Sequence, residues 1–389
     1  MKKIIYLDYA SAAPVDPRVA RMVHEYSLKF PGNPSSLHSL GISAKKVLED
    51  SRRAVASVLH ARVGEVIFTG SGTESNNIAI VGTSPPLRTS GQHIITTSIE
   101  HPSVLNVCQA LERYGFSVTY LPVGANGIID PRDLAKSLRK DTILVSLMYA
   151  NNEVGTIQPI FQCSSIIRKH RKKYRQKFPY FHSDACQASS YLEMNPVKLG
   201  VDMLTLNSAK IGGPRGVGCL YMKRGVPFEE VIIGGGQEFG KRSGTENIPG
   251  IAGFAFALKQ AEKYRVKGSK KMATLRDLCM SELTVRFPSI RINGDRTKRL
   301  PNNLHITFPG IDAEALVLYL DQQGVCVGSG SACSSGSIYG SHVLLAMGIS
   351  KKHALQSIRI TLGPSTTKEE IVYFVNALEK VVKKLNMTL

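Results

Sequence analysis

Between about residues 60 and 222, short apolar segments alternate with longer amphipathic ones, and this alternation constrains the fold more than any other feature of the chain. The apolar segments have few polar interruptions, which is typical of strands buried on both faces of a parallel sheet. Segments such as 103–114 and 131–138 have the length and periodicity of helices. We therefore predict an α/β fold with helices on both faces of a mainly parallel, seven-stranded sheet. The predicted strands are 66–68, 93–97, 117–121, 142–147, 180–182, 203–206 and 218–222.

After about residue 250 the pattern changes to long helical segments followed by short, separated strands. The spacing predicts helices over 251–264 and 272–285, three strands, and a final helix with a capping box at 367–370. We predict a large α/β domain over 15–255 and a smaller α+β domain made of 1–14 and 256–389. The predicted strands of the smaller domain are 290–292, 305–308 and 357–362.

Composition excludes several classes of protein. Hydrophobic residues make up 43% of the 389 residues, enough for a large core and too many for a disordered chain. No apolar run approaches the roughly 18 residues that a membrane span needs, and the start of the chain lacks the apolar stretch of a signal peptide. We therefore expect a cytoplasmic protein that does not interact with membranes.

The chain is strongly basic, because 49 Lys and Arg residues against 30 Asp and Glu residues give a formal net charge of +19. Much of this charge is concentrated in residues 168–177 (RKHRKKYRQK). Such a run is consistent with a solvated helix face, and also with direct binding of nucleic acid. The sequence leaves both interpretations open.

The seven cysteines are scattered and form no C-x-x-C pair. This spacing predicts neither a zinc site nor any other metal site, and a chain of this length needs no disulfide framework. We expect reduced thiols, one of which takes part in chemistry.

Four polar motifs follow predicted strands, where ligands bind in open α/β sheets. A glycine-rich turn at 69–75 (TGSGTES) contains Gly72 and Thr73, and its backbone N–H groups suit a phosphate. His101 follows another strand, Asp184 ends a third, and Lys210 lies between a strand and two glycines. Each feature alone is ordinary, because such residues are commonly structural or solvent-exposed.

Together the four motifs supply what pyridoxal 5'-phosphate (PLP) requires. They offer a phosphate-binding turn, a group that stacks on the ring, a carboxylate for the pyridinium nitrogen and a lysine that forms an imine. The sequence therefore predicts a PLP enzyme.

The residues at and around these motifs resemble the cysteine desulfurase family, among the class V aminotransferase-like, fold-type I PLP enzymes. The similarity runs in order over almost the whole chain. The stretches that carry it are 6–10, 32–36, 73–77, 100–101, 151–155, 184–187, 242–245, 330–333 and 358–359.

This resemblance implies roles for individual residues around the cofactor ring. Lys210 resembles the lysine that binds PLP as an imine and later moves the Cα proton. Asp184 is expected to pair with the pyridinium N–H, and His101 to stack on the ring and take part in proton transfer. Asn152 and Gln187 are expected near the phenolic oxygen of the ring.

The resemblance also implies residues for the phosphate and for the substrate. The phosphate is expected to contact Gly72, Thr73, Asn207 and, from the second subunit of a homodimer, Thr245. The substrate carboxylate is expected at Arg359, with Asn33 at the border of the substrate site.

Cys333 lies among small polar residues (328–337, GSGSACSSGS), a composition typical of a mobile loop, predicted over about 326–340. In the resembling family such a cysteine attacks the sulfur of L-cysteine, which gives L-alanine and a persulfide on the enzyme. The sulfur acceptor is expected to be an iron–sulfur scaffold or a tRNA-thiolation enzyme.

Two alternatives remain open: another class V PLP enzyme, such as a selenocysteine lyase or an aminotransferase, and a basic RNA-binding protein on a PLP fold. Plain transamination gives Cys333 no role, and the complete set of site residues argues against lost catalysis. The sequence also departs from the family at Ala209, where His is usual, and at Asn207, where Ser is common. Phosphate anchoring is therefore expected to differ.

Overall fold

A computed structural model describes residues 4–329 and 340–386. The described residues form twelve strands and thirteen helices, some of them single turns. The strands are β1 (Ile5–Tyr6), β2 (Val66–Thr69), β3 (His93–Thr97), β4 (Ser117–Leu121), β5 (Thr142–Ser146), β6 (Tyr180–Asp184), β7 (Met203–Asn207), β8 (Gly218–Met222), β9 (Arg291–Asn293), β10 (Asn303–Thr307), β11 (Val325–Cys326) and β12 (Ser357–Thr361). The helices are α1 (Pro17–Lys29), α2 (Ser39–Leu59), α3 (Gly72–Thr83), α4 (Pro102–Arg113), α5 (Pro131–Ser137), α6 (Ile160–Tyr174), α7 (Pro196–Leu199), α8 (Gln237–Gly240), α9 (Ile248–Arg286), α10 (Ala313–Gln322), α11 (His342–Ala346), α12 (Lys351–Ala354) and α13 (Lys368–Asn386).

The central sheet has seven strands in the order β2-β8-β7-β6-β5-β3-β4. Strands β4, β3, β5, β6 and β7 pair in parallel, whereas β8 runs antiparallel to both of its neighbours. The predicted α/β fold with a mainly parallel seven-stranded sheet is confirmed.

Successive residues of the central strands enter two different hydrophobic clusters. Ile94 and Leu144 belong to one cluster, and their chain neighbours Ile95 and Val145 belong to the other. Because side chains alternate between the two faces of a sheet, both faces are buried under helices. This double burial explains why the segments that form these strands have few polar interruptions in the sequence.

A smaller sheet has the order β12-β10-β9, with antiparallel pairing, and β1 pairs in parallel with β11. Ile5 and Leu7 share a hydrophobic cluster with side chains of α9, α10 and α13, such as Leu275, Leu316 and Phe374. The N-terminal segment therefore packs with the C-terminal part of the chain. The domain boundaries near residues 14 and 255 stay a prediction.

Helix α9 is one continuous helix of 39 residues, not the two helices expected from the sequence. The polar segment between them, residues 265–271, interrupts the apolar periodicity but not the backbone. A Cβ atom added at Gly268, which lies in this segment, would have no other atom within 4 Å. The apolar periodicity is therefore interrupted because this part of the helix faces solvent. In residues 4–329 and 340–386, no helix is both long and apolar enough to cross a bilayer.

Candidate active site

A cavity of about 300 Å³ opens where β6 and β7 end and α3 and α4 begin. This is the carboxyl edge of the parallel strands, where the chain leaves the sheet and side chains can converge. Nine of the residues predicted for the site line this cavity: Gly72, Thr73, His101, Asn152, Asp184, Gln187, Asn207, Lys210 and Arg359.

Lys210 reaches the cavity from the short turn after β7. The side-chain oxygen of Asn207 accepts a hydrogen bond from the Ala209 N–H at 3.1 Å, which starts this turn. The Lys210 Nζ atom donates to the backbone oxygens of Ala10 and Ser11, at 2.7 and 2.6 Å. A primary amine, the group that forms imines, is thus held at the floor of the cavity by the N-terminal segment.

Asp184 is the last residue of β6, and only 8% of its surface is exposed. Its Oδ2 atom accepts a hydrogen bond from Asn76 Nδ2 at 2.7 Å, and its Oδ1 atom accepts one from the Cys186 N–H at 2.9 Å. A carboxylate has about four acceptor positions, so lone pairs remain for a further donor. The geometry suits a protonated ring nitrogen of a ligand.

His101 caps the N-terminus of α4, where its Nδ1 atom accepts a hydrogen bond from the Ser103 N–H at 3.1 Å. In the neutral ring the hydrogen is therefore on Nε2. Burial lowers the pKa of His101 below its usual value, which favours that neutral form. A neutral aromatic ring beside the cavity is suited to stacking on another ring.

Helix α3 directs its N-terminus at the cavity through Gly72 and Thr73. A Cβ atom at Gly72 would lie 2.6 Å from Cys186 Sγ and 3.2 Å from the Cβ of Asn207. Glycine therefore allows this helix to pack closely against the ends of β6 and β7. The N–H groups and the partial positive charge of a helix N-terminus bind phosphate.

Arg359 projects from β12 and is 2% exposed. Its Nη1 donates to the backbone oxygen of Asn152 at 2.9 Å, and its Nη2 donates to Asp8 Oδ1 at 2.9 Å and Ser11 Oγ at 2.6 Å. Among the described residues, its Nε atom has no hydrogen-bond partner. A fixed guanidinium with a remaining donor can bind a carboxylate.

Two predicted residues of the described part of the chain, Asn33 and Thr245, do not line this cavity. Asn33 is exposed, and its Oδ1 accepts a hydrogen bond from the Ser35 N–H at 2.9 Å. Thr245 is also exposed. Cys333, with most of the loop predicted around it, lies outside the described residues.

Sequence reasoning missed several polar side chains of the site. Asn76, Cys186, Glu153 and His342 line the same cavity as Lys210. Asn76 and Cys186 lie within motifs already noted, one helical turn after Thr73 and two residues after Asp184. Glu153 also lies within a stretch already noted, 151–155, whereas His342 lies in none of them. In the described part of the chain, no three His, Cys, Asp or Glu side chains are grouped to hold a metal ion.

The functional groups that line the cavity fit PLP. Lys210 supplies an amine, Asp184 a buried acceptor, His101 a neutral ring and α3 a helix N-terminus, all on one cavity. A family model described as Aminotransferase class-V matches residues 5–374. Fold and site thus define an enzyme of the class V aminotransferase type.

Comparison with individual proteins narrows this class. Cysteine desulfurase IscS of Dictyoglomus turgidum is 43% identical over 385 residues, covering 99% of this chain and 96% of that protein. A solved structure described as a NifS-like protein matches with a TM-score of 0.92 and 36% identity, over 98% of this chain and 100% of the other. A structure described as SspA in complex with cysteine matches with a TM-score of 0.81 and 31% identity, over 93% and 100% of the two chains.

The chain belongs to the cysteine desulfurase family. The comparisons confirm the predicted family and the prediction of a cysteine desulfurase enzyme. The members of this family are PLP enzymes.

Proposed function

We propose that this chain binds PLP in the cavity and takes the sulfur of L-cysteine, releasing L-alanine and retaining the sulfur on Cys333 as a persulfide. The observation that carries the proposal is the convergence of Lys210, Asp184, His101 and Arg359 on one cavity. The similarity to a structure described as containing cysteine supports the same substrate.

When bound, PLP draws electrons away from the Cα of an attached amino acid and so weakens its Cα–H and Cβ–S bonds. Asp184 holds the proton on the ring nitrogen, because Asn76 and the Cys186 N–H keep its carboxylate in place. His101 would stack on the ring, and the N-terminus of α3, with Asn207, would hold the phosphate.

Lys210 and Arg359 act on the amino acid itself. The guanidinium of Arg359 binds the substrate carboxylate, with its orientation fixed by Asp8, Ser11 and the Asn152 oxygen. This contact places the substrate amine towards Lys210, whose Nζ atom accepts the Cα proton. Asn152 and Gln187 border the ring, and Gln187 is fixed by a hydrogen bond to the Ala10 oxygen at 2.9 Å.

Cys333 is the residue proposed to attack the substrate sulfur. Burial raises the pKa of the Cys163, Cys219 and Cys279 thiols well above the usual range, so these thiols remain protonated at neutral pH. Burial also raises the pKa of Cys186, the thiol that lines the cavity. These buried cysteines are therefore poor nucleophiles, which supports the assignment of the task to Cys333.

Thr245 supports a homodimer as part of this proposal. Its side chain is exposed and does not line the cavity of its own chain, so it is available to the phosphate site of a second copy. Sulfur transfer to an iron–sulfur scaffold or a tRNA-thiolation enzyme, direct nucleic acid binding and a cytoplasmic location stay predictions from the sequence.

A pair of cysteine variants tests the proposed function. Cys333→Ala is expected to bind PLP with unchanged absorbance and to produce no alanine from L-cysteine. Cys326→Ala is the matched control, because Cys326 is a partly exposed cysteine outside the cavity. The control is expected to produce alanine at the rate of the wild type, and wild-type rates in Cys333→Ala would contradict the proposal.

A further inference from the structure

His342 lines the same cavity as Lys210 and Arg359, and none of the roles proposed above involves it. It is the first residue of α11. Its neighbour Ser341 caps this helix through a hydrogen bond from the Leu344 N–H to Ser341 Oγ at 3.2 Å. The fold therefore places a second imidazole, besides His101, at the substrate cavity.

The hydrogen bond of the His342 ring to Glu100 fixes its tautomer. The Nε2 atom lies 2.9 Å from the backbone oxygen of Glu100, which can only accept a hydrogen bond. Nε2 therefore carries the hydrogen, and Nδ1 of the neutral ring is a proton acceptor. Nδ1 makes no hydrogen bond to the described residues and is not among their fully buried polar atoms without a partner, so it keeps some exposure on a residue that lines the cavity.

Two buried carboxyl side chains and two cavity-lining side chains lie around His342. The Glu153 carboxyl group accepts a hydrogen bond from Ser341 Oγ, and burial raises its pKa above the usual value. The Glu100 side chain is buried, which raises its pKa to about 8 and leaves it uncharged at neutral pH. His101 and Arg359 also face the cavity, and the ordinary state of His101 is neutral.

The proposed reaction needs a base at the substrate sulfur and an acid at Cβ. Conversion of L-cysteine to L-alanine replaces a Cβ–S bond by a Cβ–H bond, so one proton must be delivered to Cβ. The thiol of free L-cysteine is mostly protonated at neutral pH, and this proton must leave the sulfur when a persulfide anion forms. Lys210 is already assigned to the Cα proton.

We infer that His342 is the catalytic acid–base residue for Cβ, accepting the thiol proton of L-cysteine at Nδ1 and delivering it to Cβ. This inference rests on the proposed function. An enzyme thiolate forms an S–S bond with the substrate sulfur while the Cβ–S bond breaks. The bonding electron pair stays with Cβ, which is reduced by two electrons, and the attacking sulfur and the transferred sulfur are each oxidised by one. The thiol proton moves to Nδ1 and then forms the new Cβ–H bond, so the ring returns to its neutral form.

The variant His342→Gln distinguishes a role of His342 in proton transfer from a purely structural role. A glutamine amide can keep the hydrogen bond to the Glu100 oxygen but cannot carry a proton. We expect unchanged PLP content, exchange of the Cα hydrogen of L-alanine with D₂O within about twofold of the wild type, and alanine formation reduced about 100-fold, the range of general acid–base catalysis. His353→Gln is the matched control, because His353 belongs to α12 and does not line the cavity. It is expected to retain the full rate.

The stereochemistry of the product gives a second measurement. With L-cysteine that carries one deuterium and one tritium at Cβ, the wild type is expected to give alanine of a single methyl configuration, and His342→Gln a mixed one. A single configuration in the variant, or alanine formation within threefold of the wild type, would overturn the role of His342. Parallel loss of Cα exchange would also overturn it, in favour of a structural role. Wild-type protein that forms no alanine would contradict the proposed function instead.

Discussion

The substitution Arg359→Lys probes the substrate-binding part of the account. Arg359 uses two nitrogens to hold Asn152, Asp8 and Ser11 and has Nε left for the substrate carboxylate. A lysine ammonium has three donors on a single nitrogen and cannot reproduce this planar arrangement. We expect the loss of one hydrogen bond between charged groups, about 2 kcal/mol.

This loss corresponds to an increase of about 30-fold in KM, because each 1.4 kcal/mol is a factor of about ten in binding. The binding contact exists before and during the reaction, so kcat is expected to change by less than about threefold. Initial rates of alanine formation over a range of L-cysteine concentrations measure both constants. PLP absorbance verifies that the cofactor is still bound.

Arg299→Lys is the matched control for Arg359→Lys. Arg299 is equally buried and donates to the backbone oxygens of Val154 and Asn293, but it does not line the cavity. Its replacement is expected to lower the melting temperature and leave KM unchanged. A KM for Arg359→Lys within threefold of the wild type, with PLP bound, would refute the assignment of the carboxylate to Arg359.

Three further predictions concern buried charge and the cofactor lysine. Burial raises the pKa of Glu100 from 4.5 to about 8, so the unfolded chain loses this proton at lower pH and the free energy of unfolding falls as pH rises through this range. Glu100→Gln should flatten this decline in urea titrations at pH 5 and pH 8, and an equal decline would contradict the burial argument. Arg52 makes two hydrogen bonds to buried Glu238, at 2.6 and 2.8 Å, so Arg52→Met should cost about 3–5 kcal/mol by leaving that carboxylate uncompensated. Adding Glu238→Gln should recover much of this loss in denaturant unfolding, and no recovery would count against the pair. Borohydride should attach PLP to the peptide that contains Lys210, and label on another lysine would disprove that assignment.

The seven strands of the central sheet could be predicted from the sequence because burial of the central strands on both faces leaves few polar interruptions in their apolar segments. Strand β3, for example, was predicted over the same residues that form it, His93–Thr97. Helix α9 was predicted as two helices because exposure of residues 265–271 removes the hydrophobic signal without ending the helix. Hydrophobic periodicity indicates which residues of a helix are buried. It indicates where a helix ends only when burial ends at the same residue.

The residues of the candidate site differ in how far sequence could predict them. Asp184 ends β6 and Lys210 lies three residues after β7, so local strand patterns are enough to predict that both side chains lie at the carboxyl edge of the parallel strands. His342 is 242 residues from Glu100, whose backbone oxygen orients its ring. No pattern within a short window encodes such a contact, since it exists only after the two parts of the chain have packed together.

A single-turnover reaction tests the central claim most directly. The purified, PLP-loaded protein is mixed with L-cysteine in the absence of reductant, and alanine is quantified while the Cys333 peptide is analysed by mass spectrometry. The account predicts one equivalent of alanine for each active site and one added sulfur atom on Cys333. Alanine without sulfur on Cys333, or no alanine from the loaded protein, would contradict the account.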